Sequence, residues 1–339
     1  MAGATRRHGA RCRRLVPPST GTAGALAQPR RACSTGEGEA ANDGGYDVLS
    51  NTLAWRSLLA AARLVEALGE DERAQRYRAA ASRIREAVNR QLRDPDGWRA
   101  VAWNWGYGHE SLAPVFTAAD VADYDLSSLT SDERTLAEMT YRRQLGRCPN
   151  RTCVRAVGYG QAFLAQTALL LDDLETAATL LETVAALGYD ARRSPYLVPE
   201  GIAVSPDGRR WYRTGDLGNA VHQAEVLKAL ALVAGVERGP AGVRLLPRLP
   251  ERWETLEVVG WPVPGGALTL RVTRQSATLR YELTTPVRTS LRAGPLPENA
   301  AIRVNGTTYD GPTVTAGGAR WMWIAPLEAG QHLIEVTAS

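Results

Sequence analysis

The sequence predicts a mainly helical chain that ends in a β domain. Between residues 46 and 238, apolar residues recur at spacings of three and four, which is typical of amphipathic helices. After Gly239 and Pro240 the spacing changes to two, which is typical of strands with one buried face. We therefore expect helical hairpins over residues 46–238 and an antiparallel β-sandwich over residues 239–339.

The first 45 residues combine clusters of arginine with Gly, Ala, Pro, Ser and Thr, and they show neither the helix spacing nor the strand spacing of apolar residues. This composition predicts a disordered N-terminus. Its most apolar stretch, TAGALA, is too short to form the apolar core of a secretory signal peptide. The missing signal favours a cytoplasmic location.

The overall charge argues against a nucleic-acid partner. The chain carries 40 Lys and Arg residues against 36 Asp and Glu residues, and many of the arginines fall in the first 35 positions. The rest of the chain is therefore close to neutral, whereas nucleic-acid-binding domains usually carry a basic surface. No apolar run reaches the length of a membrane span, so we expect no membrane partner.

The spacing of the cysteines and the absence of several sequence motifs argue against several other classes of protein. Four scattered cysteines and four histidines lack the spacing of a metal site, so we expect no metal and no cofactor. Cys148 and Cys153 either close a small disulfide loop in an oxidising compartment or remain free thiols. The sequence has no GxxxxGKS loop, no GxSxG elbow and no HExxH helix.

The first predicted helix ends at Gly69, and Asp71 is the expected cap of the second, which stops at the turn Asp94 to Gly97. A third helix is predicted over residues 132–144, and a second hairpin follows over residues 157–169 and 174–187. The last helix should begin near Asn219 and end at Gly235. The apolar stripes predicted for the first and last helices are Leu49, Leu53, Leu58, Ala62 and Val65, and Val221, Ala224, Leu227, Leu230 and Val233.

Strands are predicted at residues 268–272, 278–285, 302–309 and 332–338, with a hairpin turn at Asn305 and Gly306. Trp321 and Trp323 fall two positions apart on one such strand. They either form a sugar-stacking platform or pack against the helical domain, and the second interpretation is favoured because aromatic side chains usually fill interfaces.

Glu200 is the first candidate functional residue. It lies between Pro199 and Gly201, a pair that interrupts helices and favours a loop. A carboxylate on such a loop can act as a catalytic acid or base at the mouth of a pocket. The competing interpretation is an ordinary solvated glutamate, since most glutamates are exposed.

A second candidate is Glu110, which is surrounded by aromatic residues. The stretch that contains it includes Trp98, Trp103, Trp105, Tyr107 and His109. Exposed aromatic residues are unfavourable unless they bind something, so they either contribute to a binding site or cover the core beneath them.

Five short motifs together resemble the six-hairpin glycoside hydrolases, which include the α-L-rhamnosidase-like groups. They are NWGYGHESLAP at 104–114, YGQAF at 159–163, VPEG at 198–201, GDLGNAVHQAE at 215–225 and LLPRLPERW at 245–253. The resemblance implies an (α/α)6 toroid with its active site at one end. This chain has only about three predicted hairpins. We therefore expect a C-terminal part of such an enzyme, whose exposed helices are covered by a second copy or by a partner chain.

The resemblance also implies inverting hydrolysis of a carbohydrate by two carboxyl groups about 6.5–9.5 Å apart, here Glu200 and Glu110. Which of the two is the acid stays open. The residues expected to stack on sugar rings are Trp103, Trp105, Tyr107 and Trp211. Those expected to bind hydroxyl groups are His109, Arg213, Asp216 and Asn219, although Asp216 and Asn219 are equally well explained as helix caps.

Two rival functions remain open. One is a helical scaffold with an appended β-sandwich that binds a glycan or a protein without turnover. The other is a polysaccharide lyase, which needs a Tyr or His base beside a basic subsite, and Tyr107, His109 and Arg213 provide those residue types.

Overall fold

A computed structural model describes residues 48–99, 124–147, 156–189, 199–204, 211–217, 220–239 and 242–338. The chain divides into two compact units, Met1–Trp105 and Gly106–Ser339. The predicted domain limits at residues 45 and 238 stay a prediction. None of the helices in the described ranges combines the length and the apolar composition that crossing a bilayer requires.

The first unit contains a helical hairpin. Helix α1 (Val48–Ala67) and helix α2 (Asp71–Gln91) pack against each other, and Gly69 between them has a φ of +80°, as expected for the residue after a helix end. The predicted cap is wrong, because Asp71 is the first residue of α2 and Glu70 precedes it without a side-chain cap. The predicted turn before Trp98 is confirmed by strands β1 (Arg93–Asp94) and β2 (Gly97–Trp98).

The apolar stripe predicted for α1 is only partly correct. Ala62 and Val65 are buried against Ala74 of α2, as predicted. Leu53, however, is 44% exposed, while Trp55 is buried in its place. The large indole ring offers more apolar surface than Leu53, so its burial decides which face of the helix turns inward.

The second unit begins with helix α3 (Ser131–Arg147), which contains the predicted segment 132–144. A capping box starts it: the Thr130 hydroxyl accepts from the Glu133 amide at 3.2 Å, and the Glu133 carboxylate accepts from the Thr130 amide at 2.9 Å. Helix α4 (Tyr159–Leu170) then packs against both α5 (Leu174–Gly188) and α6 (Ala220–Ala234). Val157, predicted to be helical, lies instead in a short strand before α4.

Two sheets make up the C-terminal part. Their strands are β6 (Val236–Gly239), β7 (Gly242–Leu245), β8 (Thr255–Val263), β9 (Gly266–Gln275), β10 (Thr278–Thr285), β11 (Thr289–Leu296), β12 (Ala300–Val304), β13 (Thr307–Thr308), β14 (Thr313–Ala316), β15 (Ala319–Leu327) and β16 (Gly330–Ala338). The six-stranded sheet has the order β13-β12-β16-β10-β9-β8, and the five-stranded sheet has the order β14-β15-β11-β7-β6.

Strand pairing in these two sheets is antiparallel except between β7 and β11. The purely antiparallel prediction is wrong at that pair, because β7 follows β6 as a hairpin directly from the end of α6 and inserts beside β11. The predicted turn is confirmed, since Asn305 and Gly306 both have positive φ angles, 51° and 81°. Leu270 and Tyr281 of one sheet and Leu291 and Ile324 of the other belong to one buried cluster.

The sheets meet the helices of the same unit through Trp321. Its side chain is fully buried and belongs to a hydrophobic cluster with Leu169 of α4 and Leu232 of α6. The predicted packing of Trp321 against the helices is therefore confirmed. Trp323 is half-buried, and the Arg244 guanidinium lies 4.9 Å from the centre of its ring.

An ion cluster lies at the same junction, and we call Asp172, Arg248 and Arg292 the Asp172 cluster. Arg292 donates to both Asp172 carboxylate oxygens at 2.9 and 2.6 Å, and Arg248 Nε donates to Oδ1 at 3.1 Å. All three side chains are buried. Burial lowers the pKa of Arg248 and the negative charge of Asp172 opposes that shift. The guanidinium of Arg292 also lies 4.3 Å from the centre of the Trp321 ring.

Tyr281 makes folding sensitive to alkaline pH. Its buried hydroxyl donates to the Gly294 carbonyl at 3.1 Å and accepts from the Gly294 amide at 2.9 Å. Burial raises the pKa of Tyr281 to about 12. An unfolded chain loses this proton near the ordinary pKa of about 10 while the folded chain keeps it. Stability should therefore fall as pH rises from 10 to 12, by about 1.4 kcal/mol per pH unit at most from this group.

We expect Tyr281→Phe to remove that dependence. The variant should be less stable than the parent at pH 8 by about 1–3 kcal/mol, because the Gly294 amide and carbonyl lose their buried partner. The difference between the two proteins should then shrink as pH approaches 12. Urea unfolding at pH 8, 10 and 11.5 measures it, and a difference that stays constant across this range would contradict the assignment.

Candidate functional site

A small three-stranded sheet carries the first candidate residue. Its strands are β3 (Ala156–Gly158), β4 (Pro199–Val204) and β5 (Trp211–Leu217), in the order β3-β4-β5. Glu200 therefore lies in a strand, and the loop predicted around it is wrong. Main-chain pairing on both sides of β4 stabilises the extended conformation, and Pro199 is tolerated because it is the first residue of the strand.

The beginnings of two helices lie at one edge of this sheet. Both β3 and β5 are antiparallel to β4, so β3 and β5 run in the same direction. Helix α4 begins at Tyr159, directly after β3, and helix α6 begins at Ala220, three positions beyond the end of β5. Because β4 runs the opposite way, its first residues, including Glu200, lie at that same edge.

The pairing of β4 with β5 is irregular at Glu200. Pro199 pairs with Leu217, and Gly201 pairs with Thr214. Between these two pairs, β4 contains only Glu200 while β5 contains Gly215 and Asp216. Two residues opposite one define a β-bulge, a feature that is over-represented beside active sites. The backbone thus brings Glu200 and Asp216 opposite each other.

The other predicted residues of β5 lie farther along the sheet. Arg213 pairs with Ile202, two positions beyond Glu200 in β4. Trp211 pairs with Val204, at the opposite end of the strand. Of the predicted residues whose backbone is described, Asp216 is therefore the closest to Glu200 in the register of the sheet.

The remaining predicted site residues lie outside the residues that the structure describes. They are Trp103, Trp105, Tyr107, His109, Glu110 and Asn219, and Cys148 and Cys153 lie outside them as well. Trp98 is described: it is buried, and its indole nitrogen donates to Asn89 at 3.3 Å. This aromatic residue therefore belongs to the core.

A buried polar contact holds the two helices that begin at this edge. Gln166 of α4 donates to the Glu225 carbonyl and to its Oε2, both at 2.8 Å, and Lys228 Nζ lies 2.6 Å from Glu225 Oε1. Glu225 is only 5% exposed, so both of its oxygens are compensated by partners within the protein. His222, one turn closer to the start of α6, is also buried.

The apolar stripe predicted for α6 misses this arrangement. Leu227 and Leu230 of that stripe are 65% and 48% exposed, while His222, Glu225, Val226 and Ala229 are buried. The stripe is correct at Val233, which is buried, and wrong at Leu227 and Leu230, because a carboxylate that is paired and hydrogen-bonded can be buried in their place. The available signal was the spacing of three between His222 and Glu225, which places both residues on one face of the helix.

The arrangement provides one position with a carboxylic acid residue in β4 and one in β5, at the edge where helices α4 and α6 begin. Carboxylic acids are among the residue types that supply acid–base chemistry. Within the described ranges, no group of three or more His, Cys, Asp or Glu residues could hold a metal ion.

Comparisons with known proteins identify a similar fold. No known protein family matches the sequence, and no curated protein sequence matches it. An α-L-rhamnosidase from Dictyoglumus thermophilum has a similar structure, with a TM-score of 0.59 and 12% identity, over 84% of this chain and 31% of that chain. The likeness therefore concerns the fold, and the chain spans about a third of the rhamnosidase's length.

Two further structures are similar with lower scores. One is described as a glycoside hydrolase, with a TM-score of 0.43 and 11% identity, over 90% of this chain and 57% of that one. The other is a GH127 beta-L-arabinofuranosidase from Geobacillus Stearothermophilus T6, with a TM-score of 0.29 and 10% identity, over 94% of this chain and 66% of that one. We therefore base the similarity of fold on the rhamnosidase, whose TM-score is 0.59.

Proposed function

We propose that the chain hydrolyses O-glycosidic bonds in a carbohydrate. The observation that carries this proposal is the β-bulge that sets Glu200 opposite Gly215 and Asp216 in a fold similar to that of a rhamnosidase. The bulge lies where helices α4 and α6 begin, and the Gln166 to Glu225 contact fixes these helices against each other. Catalytic groups need such rigid support to hold their geometry.

The proposed reaction uses two carboxyl groups. One donates its proton to the glycosidic oxygen as the bond to the anomeric carbon breaks. The other accepts a proton from a water molecule whose oxygen attacks that carbon from the opposite face, which inverts its configuration. We assign these roles to Glu200 and Glu110, which should then lie about 6.5–9.5 Å apart.

The binding contacts proposed for the sugar come from side chains that suit its two kinds of surface. Tyr107 and Trp211 would stack on the apolar face of a ring, since aromatic rings match that surface. His109, Arg213 and Asn219 would bind hydroxyl groups through their donors. Stacking by Trp103 and Trp105 stays a prediction from the sequence.

The helical part is proposed to be a partial (α/α)6 toroid, and the two C-terminal sheets a β-sandwich. The common buried cluster of both sheets supports the sandwich. The exposed Leu227 and Leu230 of α6 support the proposal that a second copy or a partner chain covers this part of the helical domain.

The test compares Glu200→Gln and Glu110→Gln with the parent on a panel of aryl glycosides. We expect each variant to lose about 100- to 10,000-fold in kcat, because glutamine cannot transfer a proton. Glu328→Gln is the matched control, since Glu328 is exposed on the far C-terminal part of the chain and should keep parental rates. Parental rates in both test variants would contradict the assignment.

A second candidate function is a scaffold that binds a glycan or a protein without turnover. The exposed leucines of α6 favour it, since unpaired apolar residues on a helix often mark a binding surface. A folded parent that hydrolyses no glycoside of the panel but retains sugar binding in calorimetry would select this function over hydrolysis.

A further inference from the structure

The hairpin between β12 and β13 carries the only Asn-Gly pair in the sequence, Asn305 and Gly306. Val304 pairs with Thr307, so these two residues form the whole loop, and both are exposed. A Cβ added at Gly306 would meet nothing within 4 Å, so the space around this residue is open. Because glycine has no side chain, its amide nitrogen can approach the carboxamide of the preceding asparagine without hindrance.

The oxygen of the Asn305 side chain is bound to strand β16. The Leu333 amide donates to Asn305 Oδ1 at 2.9 Å, and the Asn305 amide donates to the Leu333 carbonyl at 2.8 Å. Backbone pairing of β12 with β16 ends at Val304 and Ile334. The carboxamide therefore extends this pairing by one residue, with its oxygen in the place of a main-chain acceptor.

His332 binds the nitrogen of the same carboxamide. Its Nε2 lies 2.8 Å from the Glu328 carbonyl oxygen, which can only accept, so Nε2 carries the proton of the neutral ring. The other ring nitrogen, Nδ1, is then an acceptor, and Asn305 Nδ2 donates to it at 3.3 Å. We call the contacts of the carboxamide with Leu333 and His332 the carboxamide anchor.

We propose that Asn305 is a site of spontaneous deamidation and that the carboxamide anchor controls its rate. The Gly306 nitrogen attacks the side-chain carbonyl carbon of Asn305 and forms a C–N bond. Nδ2 leaves as ammonia, taking up the proton that the Gly306 nitrogen gives up. Water then opens the resulting five-membered imide by breaking one of its two bonds to the Gly306 nitrogen. Opening at the side-chain carbonyl gives aspartate, and opening at the main-chain carbonyl gives isoaspartate.

The anchor opposes this reaction because the reaction removes one of its contacts. Ring closure expels Nδ2, so the carboxamide cannot keep its hydrogen bond to His332 while it reacts. A hydrogen bond that is present before a reaction and lost during it stabilises the starting state alone. A neutral hydrogen bond of ordinary strength should therefore slow deamidation by about 2- to 10-fold. The modification is independent of the proposed hydrolysis, since every group that takes part belongs to the C-terminal sheets or is water.

Either product alters the hairpin. The new carboxylate oxygen cannot donate to His332 Nδ1 as Nδ2 does. Isoaspartate also adds one carbon to the main chain of a two-residue loop, whose length determines the register of the hairpin. Strand β13 lies at the edge of the six-stranded sheet and pairs with β12 alone, so it is the strand that this change should release.

The experiment follows deamidation of the full-length chain at pH 8 by mass spectrometry, since replacing the amide nitrogen by oxygen raises the mass of a peptide. Trypsin cleaves after Arg303 and so separates Asn305 from Asn299. The two peptides are residues 304–320 and 293–303. Asn299 is exposed and precedes an alanine, which makes it the internal control. We expect Asn305 to deamidate faster than Asn299, both in the folded chain and in guanidinium chloride, and to yield isoaspartate with aspartate.

His332→Phe tests the anchor, because phenylalanine offers no acceptor to Nδ2. Asn305 should deamidate about 2- to 10-fold faster in this folded variant than in the folded parent. In guanidinium chloride the two proteins should react at the same rate, because the anchor is absent from both. Gln331→Ala is the matched control, since Gln331 is the exposed preceding residue of β16 and its replacement should leave the rate unchanged. His332→Val, also a strand-forming residue, replaces His332→Phe if that variant does not fold.

Two results would overturn the proposal. If Asn305 reacted no faster than Asn299 in the folded parent, the hairpin would not be a site of deamidation. If a folded His332 variant deamidated at the parental rate or more slowly, the carboxamide anchor would not control the reaction.

Discussion

Replacing Asp172 by asparagine is expected to destabilise the second unit by about 3–5 kcal/mol, the usual cost of leaving buried charges without their partner. Asp172 is the only carboxylate within the Asp172 cluster, and it faces both Arg248 and Arg292. Removing its charge deprives two buried guanidinium groups of the anion that accepts their hydrogen bonds, and Asp125 provides Arg248 with only a weaker electrostatic attraction. Asparagine is the suitable replacement because it keeps the side-chain shape and tolerates the positive φ of 58° at this position.

The matched control for this prediction is Glu328→Gln. Glu328 pairs with Arg288 at 3.5 Å, but the two side chains are 72% and 65% exposed. Exposed pairs contribute at most about 1 kcal/mol, so this variant should unfold at nearly the parental urea concentration. The two variants and the parent are compared by urea unfolding, with tryptophan fluorescence as the signal. Equal losses for Asp172→Asn and Glu328→Gln would show that the buried cluster contributes no more than a surface pair.

The Asp172 cluster also explains how the helices and sheets of the second unit hold together. Asp172 lies between α4 and α5, Arg248 follows β7, and Arg292 lies in β11. Gly317, between β14 and β15, approaches the same place, since a Cβ there would lie 2.4 Å from the Asp172 carbonyl oxygen. Charge pairing and close backbone approach therefore coincide at one point of the junction.

Features set by neighbouring residues could be predicted from the sequence. Gly69 and Gly235 end their helices, and Asn305 with Gly306 forms the predicted turn, because each depends on the conformations that one or two residues allow. Periodicity also predicts the general change from helices to strands, although it places the change after Gly239 and Pro240, whereas strand β6 already begins at Val236.

Features that depend on residues far apart in the sequence could not be predicted from it. Asp172 and Arg292 are 120 positions apart, and nothing in the local sequence around either residue indicates the other. Pro199 and Gly201 disfavour regular structure and so predict a loop at Glu200, whereas main-chain pairing with β3 and β5 places it in a strand. The buried face of α6 was missed for the same reason, since Gln166 and Lys228 make burial of Glu225 favourable.

The second large effect is expected for Gly235→Ala, at the point where α6 leads into the sheets. Gly235 has a φ of +65°, and a Cβ there would lie 2.0 Å from the Leu246 carbonyl oxygen and 2.8 Å from the Pro247 nitrogen. These are backbone atoms, so no side-chain rotation relieves the overlap. The positive φ costs alanine about 1–2 kcal/mol. The overlap adds about 1–3 kcal/mol.

Gly260→Ala separates these two contributions. Gly260 has nearly the same φ, +67°, but a Cβ there would meet nothing within 4 Å. It should therefore lose only the conformational part, about 1–2 kcal/mol. Gly235→Ala should unfold at a clearly lower urea concentration, because its Cβ also overlaps the backbone. The Leu246 amide donates to the Gly235 carbonyl at 2.8 Å, so this hydrogen bond holds the two segments together and opposes a shift that would relieve the overlap. If both variants lost the same stability, the close approach of α6 to the Leu246 segment would contribute nothing, and glycine would be needed at residue 235 only for its backbone conformation.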